Sequence, residues 1–313
     1  MIEVDKRNRN QLLGNAMLFG CAIIWGFALV FQRTASETLG AFAFDGLRFF
    51  LATAVLLVTY AVSEFVNKKK KKTSTGWNKS TLLGGVLCGI SIFWGNNLQQ
   101  LGVAQTSVGK ASFITAVYIV IVPMLCLLLR KKPKILNCYS IFIALVGFYL
   151  MCISGQVSIN RGDLTVLAST FMISLQIVFI DLFIDECDPV KLTLIQFLTA
   201  SVLSLPAMAI EGMPTAHAIN VNIVSVLYVG VLSAGLAFTL QTIGQKYVPP
   251  STTTLIMSLE AVFGMIGGAI FLHENYTVRE LCGCLIVLVA VILAQISAPQ
   301  KLLKPNRSKF FIE

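Results

Sequence analysis

Residues 251–272 read STTTLIMSLEAVFGMIGGAIFL, an apolar run with one charge, Glu260, close to its middle. As a helix it rises about 1.5 Å per residue, and it is long enough to cross the hydrocarbon core of a bilayer, roughly 30 Å thick. Working outward, nine further stretches of similar character fill the chain at 12–32, 43–65, 82–102, 108–129, 136–153, 163–183, 190–210, 223–245 and 278–296. The pattern predicts an all-α integral membrane protein with ten transmembrane helices.

Composition agrees: 56% of the 313 residues are hydrophobic, 12% are charged, and the mean hydropathy is +0.79, whereas soluble domains carry about 25% charge. The connectors and tails are too short for a separate globular domain, which needs about 50 residues. The first run is longer than a leader's apolar region and has no small-residue cleavage site after it, so it is read as a retained span.

A net charge of +9 invites a nucleic-acid reading, but 19 of the 24 Lys and Arg fall in the tails and alternate connectors rather than along one face. Lys6, Arg7 and Arg9 precede the first span. Lys68 to Lys72 and Lys79 separate the second from the third, and Arg130, Lys131, Lys132 and Lys134 separate the fourth from the fifth. Positive charge is retained on the cytoplasmic side, which predicts a multi-pass protein of the cell membrane with both termini inside. The lysine run is read as a solvated anchor that touches anionic lipid headgroups. Asp181, Asp185, Glu186 and Asp188 cluster on the same side, but acidic residues count little in this rule.

Ten spans divide into five and five, and an odd-numbered unit re-enters the bilayer upside down. A shift of 142 residues pairs Leu98, Gln99 and Gly102 with Leu240, Gln241 and Gly244, and a shift of 148 pairs Gly14, Val30 and Phe31 with Gly162, Val178 and Phe179. Two inverted five-helix repeats are expected, residues 1–155 and residues 156–313, the second carrying a basic tail.

Trp25 and Gly26 in the first span, the SLEAVF run of 258–263, and Leu272, His273 and Glu274 at the end of the ninth span resemble the EamA family of the drug/metabolite transporter superfamily. The resemblance covers essentially the whole chain as two EamA repeats. It implies a ten-helix inverted-repeat carrier whose central cavity is formed mainly by spans 1, 3, 4, 6, 8 and 9, usually exporting amino acids or other small metabolites. The chain departs from the family pattern at Ala261, where proline is common, and at His273, where glycine is common. That puts a proline kink of the ninth span in question, while Pro123 remains available to kink the fourth.

A charge at the bilayer centre costs about 2.5–3.5 kcal/mol unless it finds a partner or a wet cavity. Glu260 is either a structural carboxyl bonded to a neighbouring helix or a cavity group that contacts substrate or carries a proton. Tyr118 stands at the matching place in the fourth span, where a phenol offers a ring face and a hydroxyl. In the third span Asn96, Asn97, Gln99 and Gln100 cluster. Such amides read a polar solute or bind helices together at about 0.6 kcal/mol per bond. Gln99 and Gln100 are expected near the outer surface, which leaves Asn96 and Asn97 for the cavity. Trp25 lies too deep for an interfacial belt and Gln176 sits in the inner half of the sixth span. The expected substrate-binding residues are therefore Trp25, Asn96, Asn97, Tyr118, Gln176 and Glu260, with Gln196 and Gln241 in second rank. Arg48 with Asp45 is read as a pair snorkelling to the membrane edge.

No catalytic residue, metal ligand set or cofactor is expected. The eight cysteines are scattered as small buried hydrophobes, His217 and His273 lack ligand spacing, and no GxxxxGK[ST] loop exists to hold ATP. An intramembrane enzyme would need a nucleophile–base pair or metal ligands at one depth, and a channel would need a continuous polar stripe. The sequence favours a transporter of small organic molecules, with Glu260 as the place where a cationic group is anchored or a coupling proton is carried.

Overall fold

A computed structural model of the chain describes residues 2–69, 77–106, 108–129, 135–152, 160–273 and 276–297. Much of the basic charge used above for orientation, at 70–72, 130–134 and 301–309, lies outside these residues, as does Glu274. The described chain is helical, as backbone in lipid must be if its N–H and C=O groups are to be satisfied without water. In order come α1 (Ile2–Ala35), α2 (Ala41–Lys69), α3 (Lys79–Val103), α4 (Val108–Ala116), α5 (Tyr118–Leu128), α6 (Ile135–Cys152), α7 (Arg161–Phe183), α8 (Pro189–Glu211), α9 (Ala216–Val221) and α10 (Ile223–Leu227). A π-helix (Tyr228–Ala237) leads into α11 (Phe238–Tyr247), followed by α12 (Pro250–Met257), α13 (Glu260–Phe271) and α14 (Val278–Ser297).

Among the described residues eight helical segments are long and apolar enough to cross a membrane, the fourth composed of α4 with α5, the seventh of α10 through α11, and the eighth of α12 with α13. Helices α6 and α14, 18 and 20 residues long, stand where the sequence places the fifth and tenth spans and pack on each other. Cys138 and Cys282, read from sequence as buried, are exposed on these two helices.

Packing follows the repeat. Helix α3 packs on α7 as its counterparts α11 and the π-helix pack on α1, while the counterparts α2 and α8 pack on each other. At one end of that pair the Ala43 amide donates to Glu211 Oε2 at 2.8 Å; at the other, Lys191 Nζ lies 3.3 Å from Glu64 Oε1. The start of each helix thus meets the end of its mate, so the two run antiparallel and the halves are inverted. Thr53 and Ser201, 148 apart in sequence, share a hydroxyl hydrogen bond at 3.0 Å, and Phe49 and Phe197, also 148 apart, place their rings at 6.0 Å. These pairs lie on the pseudo-two-fold axis.

Glycine matters where the repeats cross. A Cβ on Gly14 would come within 3.1 Å of the Gly244 carbonyl oxygen, and one on Gly162 within 3.0 Å of that of Gly102. These are the glycines paired by the two shifts, and they let α1 meet α11 at one end of the bundle and α7 meet α3 at the other.

Two spans are broken at matching places. Val117 and Leu259 have φ/ψ of −59°/−14° and −60°/−14°, and each donates its N–H three residues back, to Ile114 and Ile256, at 3.2 Å. This tightened turn ends α4 and α12. Pro123 lies inside α5, past the break, and no proline lies between Pro250 and Phe271. Proline is therefore not the shared cause.

Candidate functional site

The breaks place Tyr118 and Glu260 at the first positions of α5 and α13, and both side chains face a cavity of about 480 Å³, its open mouth included. Its wall comes from α1, α2, α3, α4, α5, α7, α11, α12 and α13. Twelve of the lining residues form six repeat-related pairs: Trp25 with Ile173 and Ala28 with Gln176 at the 148 shift; Asn96 with Phe238, Gln99 with Gln241, Thr115 with Met257 and Tyr118 with Glu260 at the 142 shift. The cavity surrounds the axis where the halves meet.

Only one pair is chemically the same on both sides, Gln99 with Gln241. In the others an amide, hydroxyl or indole faces an aliphatic or aromatic group, or a phenol faces a carboxyl, so the repeat has made a symmetric frame and an asymmetric lining. The polar edge is held in place by neighbours. Trp25 Nε1 donates to the Ser233 carbonyl at 3.2 Å, and its ring lies 4.8 Å from that of Phe238. Gln176 and Gln241 exchange amide hydrogen bonds at 3.3 Å, and Gln176 also donates to Gln196 at 3.2 Å. Gln99 donates to Thr115 at 3.1 Å.

Other polar atoms on this wall have no such bond. Asn96 Nδ2, Gln32 Oε1, Arg48 Nε, Tyr118 Oη and Glu260 Oε1 are buried without a geometrically formed hydrogen bond among the described residues. A buried polar atom left unmatched costs about 1–3 kcal/mol, and five of them border this one cavity. Glu260, 5% exposed, has the Tyr118 phenol as its polar neighbour. Gly26 brings α1 against this corner, since a Cβ there would fall 2.8 Å from the Glu260 carbonyl oxygen and 2.4 Å from Phe263 Cβ.

Of the six residues named from sequence, Trp25, Asn96, Tyr118, Gln176 and Glu260 border this cavity, and Asn97 does not; its amide turns back to the Phe93 carbonyl at 2.7 Å. Gln99 does line it, contrary to its expected place near the surface. Gln100 is also buried, donating to the Gln32 carbonyl at 3.0 Å, because α3 continues to Val103 inside the bundle. Residues 92, 96 and 99 share one face of α3 at i, i+4 and i+7 spacing, which excludes 97.

The larger correction concerns Asp45 and Arg48, which are 0% and 3% exposed rather than snorkelling. Arg48 lines the cavity, Nη1 reaching Asp45 Oδ1 at 3.3 Å and Nη2 reaching Ser233 Oγ at 3.1 Å. Ser233 lies in the π-helix, whose Gly230 and Gly235 pack on Leu51 and Val55 of α2. The widened turns give Trp25 a carbonyl and Arg48 a hydroxyl from one residue. Among the described residues no cluster of His, Cys, Asp and Glu is arranged to hold a metal ion.

Comparison with known proteins agrees with this architecture. The EamA-like transporter family matches the chain twice, over residues 12–153 and 160–295. An uncharacterized transporter of Archaeoglobus fulgidus is 28% identical over 277 residues, 88% of this chain and 83% of its own length. The uncharacterized transporter YoaV of Bacillus subtilis is 20% identical, over 88% of this chain and 94% of its own. A crystal structure 13% identical in sequence superposes with a TM-score of 0.72 over 91% of this chain and 97% of its own, a shared fold.

Proposed function

The chain belongs to the EamA-like transporter family and is a multi-pass membrane transporter, and on that premise we propose that it carries small organic metabolites, amino acids or related compounds, by alternating access around the cavity on the repeat axis. Export is the direction the family resemblance favours, and the cell membrane with both termini cytoplasmic is the arrangement the basic connectors favour.

One observation carries the reading: the cavity is lined by six repeat-related pairs. In an inverted repeat, exchanging the conformations of the halves moves the opening from one face of the membrane to the other while the site stays at the axis. A site built from pairs is therefore reachable from both sides in turn. Within it Glu260 anchors an ammonium group or releases a proton when the cavity is wetted, and Tyr118, Trp25, Asn96 and Gln176 surround the solute.

The test is exchange in proteoliposomes. Vesicles containing the purified protein are screened with stable-isotope metabolites, and those retained are examined for trans-stimulation. A carrier is accelerated by substrate on the far side. Flux that is insensitive to it indicates a channel, and chemical conversion of the solute indicates an enzyme. Glu260→Gln should abolish most of the exchange while the protein remains folded.

A further inference from the structure

Arg48 belongs to α2, a span the family resemblance does not place at the cavity, yet its guanidinium forms part of the wall. A guanidinium presents five N–H donors. Here Nη1 is engaged by Asp45 Oδ1 and Nη2 by Ser233 Oγ, while Nε has no partner among the described residues. The Asp45 contact is single and, at 3.3 Å, long against the roughly 2.7–2.9 Å of a charge-assisted N–H···O bond. Asp45 neutralises Arg48 and leaves its donors unsaturated.

The unpaired side is the useful one. Nε–H and the Nη2–H beside it form the side-on fork that takes a carboxylate with two parallel hydrogen bonds; Asp45 occupies only Nη1, Nη2 keeps one hydrogen beyond its bond to Ser233, and Nε–H is unpaired. Being on the same helix three residues earlier, Asp45 holds the guanidinium without covering that fork. The same cavity contains Glu260, which is in no ion pair among the described residues. The wall thus offers one group that seeks an anion and one that seeks a cation.

We propose that Arg48 reads a carboxylate on the transported solute, with Asp45 as its positioning residue, so that the cavity selects zwitterions carrying an ammonium and a carboxylate. This rests on the reading of the cavity as the transport site with Glu260 meeting the ammonium. It adds a specificity determinant from a different helix and for the opposite charge.

The test compares acids with their amides in counterflow, using proteoliposomes and radiolabelled L-threonine, L-leucine and L-phenylalanine beside their α-carboxamides, which keep the ammonium and remove the anion. Wild-type protein should prefer the acids. In Arg48→Gln the acid-to-amide ratio should fall by at least about tenfold, since a site built for a polar group discriminates strongly by it. Because that variant leaves Asp45 buried without its cation, the pair Asp45→Asn with Arg48→Gln is made as well and should show the same fall; monodisperse elution identifies folded protein. Arg48→Lys, which keeps the charge and loses the fork, should give an intermediate ratio. An unchanged ratio in folded Arg48→Gln or in the double variant overturns the assignment, as does wild-type protein that carries amides as well as acids or carries none of the six probes. The transport reading is judged separately, by whether Glu260→Gln stops trans-stimulated exchange of any solute found in the screen.

Discussion

Tyr118 and Glu260 begin the second pieces of two broken spans, 142 residues apart in sequence, and meet over the same cavity. The repeat therefore brings its own equivalent positions face to face with different chemistry, a phenol on one side and a carboxyl on the other. Because the two groups share an environment, their removal should not be additive. Exchange rates for Tyr118→Phe, Glu260→Gln and the double variant should show a coupling within the range of about 0.5–3 kcal/mol seen for residues in contact. Strict additivity would mean that the phenol and the carboxyl act independently.

Gly26 is where α1 reaches the Glu260 corner, and it has no room for a side chain. Gly26→Val should destabilise the protein by about 1–3 kcal/mol through overpacking and depress transport with it, read as a lower thermal midpoint in detergent. Gly109, at the start of α4, has nothing within 4 Å of the point where a Cβ would stand, so Gly109→Ala should leave the midpoint in place.

Pro123 offers an apparent explanation for the bend of the fourth span, but the eighth membrane-length segment has the same tightened turn with no proline near it. Pro123→Ala should accordingly keep exchange activity, measured in the same vesicles. Collapse of activity would make the proline, and not the Val117 turn, the source of the break.

Orientation can be read from single cysteines in a cysteine-free background. Glu37 and Trp77 are both exposed, at opposite ends of the bundle. With cytoplasmic termini, Glu37→Cys should react with impermeant maleimide in intact cells and Trp77→Cys only after permeabilisation. The reverse pattern would invert the topology.

The apolar spans, the family and the inverted repeat were legible because each depends on an average over many residues: apolar runs and two shifts of 142 and 148. In the cavity, Trp25, Asn96, Tyr118, Gln176 and Glu260 were legible because a polar, aromatic or charged group stands out deep within an apolar span. Asn97 was misplaced because adjacent amides cannot be separated without the phase of the helix, which Ile92, Asn96 and Gln99 together define. Arg48 was missed for a different reason. Near the end of a span a charged pair looks like a snorkelling one, and the widened turns opposite, which bring Ser233 to the guanidinium that Asp45 neutralises, leave no mark in the sequence nearby. No local sequence rule announces a π-helix; Gly230 and Gly235 hinted at close packing and nothing more.

The widened turns of Tyr228–Ala237 also set the rotational phase of everything that follows them. The equivalent α3 has no such stretch, so one repeat is wound slightly looser than the other over the same membrane depth. Each residue of an ordinary helix advances about 100° around its axis. Forcing regular α-turns on this stretch with no residue removed would swing α11 around its axis relative to α10, because each widened turn holds more residues than an ordinary one. Gln241 would then point away from Gln176 and an apolar neighbour would take its place. The register of the polar lining is thus stored in a few loose turns some distance from the residues it aligns, where tightening the backbone would do more harm than many substitutions in the cavity itself.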